Sequence, residues 1–165
     1  MTKILISIPC YNEEESVLEC IESVILQKAS LDKFEVDILV VDDGSIDNTS
    51  NLLKSYDKLI IINSVINHGL SEVFNSIMTY TTINNYDYVL IFDSDNQYPS
   101  EDIPLLINNA YNKNSDIEIG FRTFKEIDHF SITKKFLQIF GSKVVSKMTK
   151  LKIKDATSGF RVYSK

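Results

Sequence analysis

The sequence predicts an α/β fold in which helices cover both faces of a mainly parallel sheet. Strand-like and helix-like segments alternate along the 165 residues, as they do when helical crossovers join parallel strands. The predicted strands are continuous apolar runs without alternating polar residues, which is typical of strands buried on both faces. Polar and acidic residues follow three of these strands directly, at the sheet edge where ligands bind in such folds.

The first half of the chain contains two strands and two helices with clear local signals. An isoleucine-rich run predicts a strand over residues 3–9, and apolar residues at helical spacing predict a helix over residues 13–27. A second apolar run predicts a strand over residues 36–41. Asp47 is a candidate cap for a short helix over residues 49–55.

The second half continues the same alternation. Apolar residues on one side predict a helix over residues 69–80, and Pro104 is tolerated in the first turn of a helix over residues 101–111. The remaining strands are predicted at residues 59–62, 88–92 and 117–121. No repeat or linker interrupts the pattern, so a single domain over residues 1–165 is the simplest interpretation.

Composition limits the classes of protein to consider. The chain is 44% hydrophobic and 24% charged, which is ordinary for a globular domain. No stretch approaches the roughly 20 apolar residues of a membrane span, and we expect no secretory signal at the N-terminus. Two cysteines are too few for a disulfide scaffold, so we expect reduced thiols in a cytoplasmic protein. We expect no nucleic-acid partner.

Charge is distributed unevenly along the chain. Residues 111–165 contain 12 basic and 5 acidic residues, a net charge of +7, which leaves −13 for residues 1–110 out of a total of −6. This asymmetry indicates a cation site in the first part and an anionic partner for the second. An ordinary solvated surface is the alternative explanation.

Acidic residues cluster after three predicted strands. The clusters contain Tyr11, Asn12 and Glu13 after the first strand, Asp42 and Asp43 after the second, and Asp93 and Asp95 after the fourth. The carboxyl ends of parallel strands meet at one edge, so these side chains are expected to lie close together. Because like charges repel, a cation or cationic ligand is the natural explanation.

Asp93 and Asp95 form the strongest local signal for a metal site. Two carboxylates two residues apart at a strand end can both reach one Mg²⁺ or Mn²⁺ ion, and Gln97 can add a carbonyl oxygen. Such an ion neutralises the charge on a departing diphosphate. A surface turn is the alternative for a D-x-D sequence alone.

Other polar residues have two open interpretations each. One carboxylate of the pair Asp42 and Asp43 can accept a hydrogen bond from a nucleoside, or can cap a helix. Arg122 and Arg161, with Lys134 and Lys135, can bind phosphates or lie on the surface. Asp155 is a candidate general base, and an ion pair with a nearby cation is its alternative role.

A basic amphipathic helix is predicted over residues 130–150. Apolar residues recur there at helical spacing, and five lysines lie between them. Helices of this kind can lie in an anionic membrane interface. A core helix with a charged outer face is the alternative.

Several segments together resemble the family 2 glycosyltransferases, which have the GT-A (Rossmann-like) fold. They are IPCYNEE at residues 8–14, VVDDGS at 40–45, FDSDNQYP at 92–99 and GFR at 120–122. The closing segment DATSGFR at 155–161 resembles the branch that contains dolichol-phosphate mannose synthases and bacterial polyprenyl-phosphate glycosyltransferases. The motifs cover nearly the whole chain in the family's order.

The resemblance implies inverting transfer of a sugar from a UDP- or GDP-sugar to a polyprenyl or dolichyl phosphate, with Mg²⁺ or Mn²⁺ as cofactor. It places Pro9, Tyr11, Glu13, Val41 and Asp43 in the nucleoside pocket, with Asp93, Ser94 and Arg122 also contacting the nucleotide sugar. It assigns the metal to Asp93, Asp95 and Gln97, the acceptor phosphate to Lys135 and Arg161, and catalytic roles to Asp95 and Asp155.

The sequence departs from the family pattern in three places. Tyr98 stands where the family often has histidine, and glycines are fewer near residues 69–71. The chain ends at Lys165, whereas members of this branch usually continue into helices that engage the lipid. We therefore expect a truncated catalytic domain, with a nucleotide- and metal-binding part at residues 1–110 and an acceptor-side part at 111–165. The full-length protein is expected at the inner face of the cell membrane, against an anionic surface.

The same residues allow other functions to be considered or excluded. A saccharide acceptor in polysaccharide or cell-wall synthesis is one alternative, and a non-catalytic sugar-nucleotide-binding or membrane-docking module is another. A nucleotidyltransferase would carry a glycine-rich basic loop after the first strand, where this chain has residues 10–14. A haloacid-dehalogenase-type phosphatase would carry its D-x-D after the first strand, not the fourth.

Overall fold

The computed structural model describes residues 1–95, 97–121, 132–151 and 153–165, with only the backbone described for residues 132–139. Six strands form one sheet in this part of the chain. They are β1 (Lys3–Cys10), β2 (Glu35–Asp42), β3 (Ile60–Asn63), β4 (Tyr88–Ile91), β5 (Ile117–Ile119) and β6 (Arg161–Ser164). Five of the six were predicted, within two residues at each end.

The sheet has the strand order β3-β2-β1-β4-β6-β5. The first four strands in this order are parallel to one another, and β6 runs antiparallel to both β4 and β5. The mainly parallel sheet is therefore confirmed. The sequence prediction missed β6, because two of the four residues of Arg161–Ser164 are polar and the strand follows a turn-like segment. Its pairing depends on β4, which lies about seventy residues earlier in the chain.

Helices lie on both faces of the sheet, as predicted. They are α1 (Val17–Lys28), α2 (Thr49–Leu53), α3 (Leu70–Ile83), α4 (Ile103–Lys113) and α5 (Ile132–Thr149). The predicted start of α1 at residue 13 was wrong. The backbone N–H groups of Glu13 and Glu14 donate to the side chains of Thr49 and Asp47, so this segment is held in a loop before the helix begins.

Two apolar cores explain the continuous hydrophobic strands. On one face, Ile4, Ile6 and Ile8 pack with the buried residues of α1, α2 and α4. On the other face, Leu5 packs with Val73 and Ile77 of α3. Successive residues of β1 thus enter opposite cores, and each fully buried aliphatic side chain contributes roughly 1.5–3 kcal/mol to folding.

The helix α5 turns polar residues towards the protein. Ser142 is buried and accepts a hydrogen bond from the Ala156 N–H at 3.0 Å, and Ser146 exchanges two hydrogen bonds of 2.9 Å with the backbone of Ile153. Phe140, on the other side of the helix, is exposed. No helix in the described ranges combines the length and apolarity needed to cross a bilayer.

Candidate functional site

A pocket of about 320 Å³ opens at the carboxyl edge of the parallel strands. The segments after β1, β2 and β4 all contribute to it. Its walls include Pro9, Tyr11, Glu13, Asp43, Asp93, Ser94 and Asp95, together with Cys10, Asn67, Gly69, Leu70 and Val73. The structure therefore brings the three predicted acidic clusters together.

Hydrogen bonds join the loop after β1 to the loop after β2. The Asn12 Oδ1 accepts from the Ile46 N–H at 2.8 Å, and the Asn12 N–H donates to the Ser45 Oγ at 2.9 Å. The Glu13 N–H donates to the buried Thr49 Oγ1 at 2.9 Å. Asn12 has a φ of 55°, a left-handed conformation that asparagine tolerates. These bonds fix the backbone that presents Tyr11 and Glu13 to the pocket.

Asp42 has a structural role. Its side chain is buried, and its carboxylate accepts from the Ser45 N–H at 3.0 Å and the Ser45 Oγ at 2.6 Å. The Ser50 hydroxyl also donates to it. Of the two interpretations of the Asp42–Asp43 pair, the structural one applies to Asp42.

Asp43 lines the pocket and also holds its neighbouring wall. Its two carboxylate oxygens accept from the backbone N–H groups of His68 at 3.0 Å and Gly69 at 2.8 Å. A carboxylate offers about four lone-pair positions, so these two bonds leave capacity for a ligand. Asp43 thus sets the position of the N-terminus of α3 beside the pocket.

The loop after β4 places two carboxylates at the same rim. Asp93 and Asp95 both line the pocket, and Ser94 is buried between them. The Asp95 Oδ1 accepts from the backbone N–H of Gln97 at 3.1 Å. Gln97 itself is exposed and is not part of the pocket wall.

This donor set suits a cation that is shared with a substrate. Within the described residues, no three side chains of histidine, cysteine, aspartate or glutamate converge closely enough to enclose a metal. Mg²⁺ typically binds one or two carboxylates and completes its shell with phosphate oxygens and water. Asp93 and Asp95 match that pattern.

A second pocket of about 220 Å³ adjoins the first. The two share Pro9, Leu70, Val73 and Asp93. Arg161 lies in its wall, and its guanidinium donates to the Ser158 carbonyl at 2.6 Å and the Ala156 carbonyl at 2.9 Å. Arg161 therefore supports the turn at residues 156–160 in this structure.

Asp155 lies behind the same turn. Its side chain is only 1% exposed, and its Oδ1 accepts from the Thr157 N–H at 3.0 Å and the Thr157 Oγ1 at 2.8 Å. It is not among the residues that line either pocket. The carboxylate of this candidate base therefore stabilises the backbone of residues 155–158 through its hydrogen bonds to Thr157.

Val41 lies in neither of these two pockets, and the side chains of three other predicted residues fall outside the described part of the chain. Val41 is buried and lines a smaller cavity beneath Asp43 with Ser64 and His68. Arg122 lies outside the described residues, and so do the side chains of Lys134 and Lys135, whose backbone belongs to α5.

The start of α3 and the residues just before it form a pocket wall that was not predicted from the sequence. Asn67, Gly69, Leu70 and Val73 line the pocket, and none of them was proposed as a site residue. A glycine immediately before an amphipathic helix was the available signal, since it marks the connection that leaves the carboxyl end of β3.

Both cysteines lie close to the acidic rim and are buried. Burial, reinforced by the charges of Asp42 and Glu13, raises the pKa of Cys10 well above its usual range. Burial, reinforced by the charge of Asp95, raises the pKa of Cys20 to about 12. Both groups are therefore protonated thiols at neutral pH.

The sequence model of one family, "Glycosyl transferase family 2", matches residues 5–165. The chain belongs to this family. The match begins within β1, extends through β6 and includes every residue of both pockets.

Three relatives show the range of the family. Over 164 residues the domain is 32% identical to the uncharacterized protein MJ0544 of Methanocaldococcus jannaschii, covering 94% of this chain and 69% of that protein. It is 32% identical over 113 residues to an undecaprenyl-phosphate 4-deoxy-4-formamido-L-arabinose transferase of Proteus mirabilis, covering 67% of this chain and 34% of that one. It is 31% identical over 122 residues to a poly(ribitol-phosphate) beta-glucosyltransferase of Bacillus spizizenii, covering 72% of this chain and 19% of that one.

The fold agrees with that of a solved glycosyltransferase. Glucosyl-3-phosphoglycerate synthase of Mycobacterium tuberculosis, crystallised with Mn²⁺, UDP and glucosyl-3-phosphoglycerate, superposes with a TM-score of 0.72 at 17% identity. The match covers 99% of this chain and 57% of that one. The domain has the GT-A fold predicted from the sequence, and it spans little more than half of the solved chain.

Proposed function

We propose that this family 2 glycosyltransferase domain transfers a sugar, with inversion, from a UDP- or GDP-sugar to a polyprenyl phosphate. An acceptor phosphate oxygen attacks the anomeric carbon of the sugar. The bond from that carbon to the nucleotide diphosphate breaks, and the diphosphate leaves with the electron pair. The observation that carries the proposal is the pocket in which Tyr11, Glu13 and Asp43 face the Asp93–Asp95 loop.

The donor half of the reaction is assigned to residues 1–110. Pro9, Tyr11, Glu13 and Asp43 form the wall for the nucleoside, with Val41 packed beneath it. An exposed tyrosine ring offers a stacking surface, and the Asp43 carboxylate offers a hydrogen-bond acceptor. Ser94 and Arg122 complete the proposed contacts to the nucleotide sugar.

A divalent cation fits the opposite wall. Asp93 and Asp95 would hold Mg²⁺ or Mn²⁺, with Gln97 contributing beside Asp95. The cation supplies charge neutralisation for the departing diphosphate. The two aspartates keep two negative charges at the rim, and these would repel a diphosphate that arrived without a cation.

The acceptor half needs a cationic site more than a base. A phosphate monoester is already anionic near neutral pH, with a second pKa of about 6, so its oxygen can attack without proton removal. Lys135 and Arg161 are the proposed phosphate contacts. Asp155 remains a candidate base, and its burial favours a supporting role in the 155–158 segment.

The relative from Proteus mirabilis supports a lipid-linked acceptor, since its name specifies undecaprenyl phosphate. The relative from Bacillus spizizenii supports the second candidate, a saccharide or polyol-phosphate acceptor. The surface of α5 favours the lipid. Val144 and Met148, one turn apart, are 40% and 79% exposed, and Lys143 and Lys147 beside them are exposed as well.

The orientation of α5 also supports contact with an anionic membrane. Its serine face bonds to the backbone of residues 153–156, and its apolar stripe, which consists of Phe140, Val144 and Met148 in the described part of the helix, points away from the protein. An apolar stripe flanked by lysines is the pattern of helices that lie in an anionic interface. We propose that the full-length protein works at the inner face of the cell membrane.

Calorimetry with UDP and GDP, with Mn²⁺ and then with EDTA, tests the donor site. We expect binding only in the presence of the cation, and at least about tenfold weaker binding for Asp95→Asn. Asp57→Asn, an exposed substitution remote from the pocket, is the matched control. Cation-independent binding that survives Asp95→Asn would overturn the proposed site.

Transfer from radiolabelled sugar nucleotides tests the acceptor. Label that partitions into the organic phase with undecaprenyl phosphate is the expected result. Label that appears only on an added ribitol-phosphate polymer would favour the saccharide alternative. Release of free sugar without transfer to either acceptor would contradict both.

A further inference from the structure

The Asp93 carboxylate lies directly against the backbone of Gly159. A Cβ atom at position 159 would lie 2.9 Å from the Asp93 Cγ and 3.0 Å from its Oδ1, which is well inside van der Waals contact. Gly159 is not among the glycines with a positive φ. A side chain at position 159 would therefore displace the Asp93 carboxylate from the place it occupies here.

Tyr98 ties the same turn to the loop that carries Asp93. Its hydroxyl accepts a hydrogen bond from the Gly159 N–H at 3.1 Å. Its ring is 6% exposed and packs against Phe160 at a centroid distance of 5.4 Å. Tyr98 follows Asp93 by five residues, so the loop after β4 supplies both the Asp93 carboxylate and the Tyr98 hydroxyl that holds the turn at Gly159.

The turn is also fixed from the sheet. The Phe160 carbonyl accepts from the Gly120 N–H at 2.9 Å, and the Phe160 ring packs edge-to-face on Phe92 at 5.5 Å. The Arg161 side chain holds the Ser158 carbonyl. These contacts fix the position of the turn relative to the sheet. The hydrogen bond to Tyr98 fixes its distance from the loop that carries Asp93.

We propose that Tyr98 and Gly159 are positioning residues for Asp93. They hold its carboxylate in the orientation in which it binds the divalent cation, so that little ordering is needed when nucleotide and cation arrive. The inference rests on the proposed function, since it assumes that Asp93 is a cation ligand. Neither residue contacts the reacting atoms, and both act through the carboxylate.

Electron paramagnetic resonance of Mn²⁺ tests this inference without measuring turnover. The cation is titrated into the protein with UDP at saturation, or with GDP if calorimetry selects it. We expect Tyr98→Phe, which keeps the ring and removes the hydroxyl, to weaken Mn²⁺ binding about tenfold. We expect Gly159→Ala to weaken it further, because its methyl group displaces the carboxylate.

Tyr86→Phe is the matched control. The Tyr86 hydroxyl donates to the Asp37 Oδ2 at 2.8 Å, and Tyr86 is buried like Tyr98. Each variant loses the described hydrogen bond of a buried tyrosine hydroxyl, so a general loss of stability would affect both. Only Tyr98→Phe is expected to change the Mn²⁺ affinity and the hyperfine spectrum of the bound ion.

The outcomes separate the two proposals. Wild-type protein that binds Mn²⁺ with nucleotide, while Tyr98→Phe binds equally tightly with an unchanged spectrum, overturns the positioning role and leaves the proposed function intact. Wild-type protein that binds nucleotide without taking up Mn²⁺ overturns the cation site, and the inference fails with it. If Gly159→Ala does not fold, circular dichroism shows it and Tyr98→Phe decides.

Discussion

The Asp43 carboxylate accepts a hydrogen bond from the Gly69 N–H at 2.8 Å. The bond joins the end of β2 to the first turn of α3, across 26 residues of chain. One residue thus lines the pocket and holds the helix that forms the next wall. Substitutions at Asp43 are therefore expected to change folding and ligand binding together.

Asp43→Ala is expected to lower the free energy of unfolding by about 2 kcal/mol, because two backbone N–H groups lose a charged acceptor. Nucleotide affinity is expected to fall as well, since the wall at His68 and Gly69 is released. Urea denaturation and calorimetry measure the two effects. Asp57→Ala, at an exposed position, is the control, and equal stability of the two variants would contradict the role of Asp43.

Gly44→Ala and Gly141→Ala are expected to change stability in opposite directions. Gly44 has a φ of 74°, and a Cβ there would lie 2.5 Å from the Ile66 carbonyl carbon. The left-handed conformation alone costs about 1–2 kcal/mol for alanine. Gly141 lies inside α5 with nothing within 4 Å of an added Cβ, so alanine should stabilise by up to about 1 kcal/mol. Thermal unfolding measures both changes in stability. A stabilising effect of Gly44→Ala would contradict the strained backbone conformation assigned to Gly44.

The two cysteines are expected to resist thiol reagents in the folded protein. Only the thiolate reacts, and the raised pKa values keep Cys10 and Cys20 protonated at pH 8. Ellman's reagent should label neither native thiol and both thiols in denaturant. A Ser55→Cys variant places a thiol at an exposed position and should react at once. Rapid labelling of the native wild type would show that the acidic rim opens.

Flotation with liposomes tests the apolar stripe of α5. Binding to vesicles that contain phosphatidylglycerol is expected, with little binding to phosphatidylcholine alone. Replacing Val144 and Met148 with serine should abolish it, whereas Leu26→Ser with Leu105→Ser, two exposed leucines on other helices, should not.

Lysine substitutions separate the electrostatic contribution to membrane binding. Each lysine near an anionic surface contributes about 1 kcal/mol, so Lys143→Gln and Lys147→Gln should each weaken binding about fivefold. Equal recovery with neutral and anionic vesicles would contradict an interfacial role for α5.

Local sequence patterns were sufficient for most of the fold. Buried strands such as β1 and β2 can be recognised as mainly apolar runs, because burial on both faces favours apolar side chains at successive positions. The strand β6 carries no such signal. Half of its residues are polar, it follows a turn, and its place between β4 and β5 depends on partners that are distant in sequence.

The candidate site also contains some residues that the sequence predicts and others that only the folded structure assigns to it. Asp93 and Asp95 could be predicted because a strand end and a two-residue spacing are local properties. The pocket residues from α3 could not be assigned, since the bonds from Asp43 to residues 68 and 69 form only after folding. The roles of Asp155 and Arg161 also became visible only through their hydrogen bonds to the 156–158 turn.

The sequence by itself determined the parallel sheet, the acidic rim and the family. These follow from periodicity, from residues adjacent to strand ends, and from motifs read in order. The tertiary structure alone decided that Gly159 makes room for the Asp93 carboxylate and that Tyr98 anchors the turn beside it. The reason is physical: van der Waals exclusion and hydrogen bonding act over a few ångströms in space, and these residues are separated by more than sixty positions in the chain.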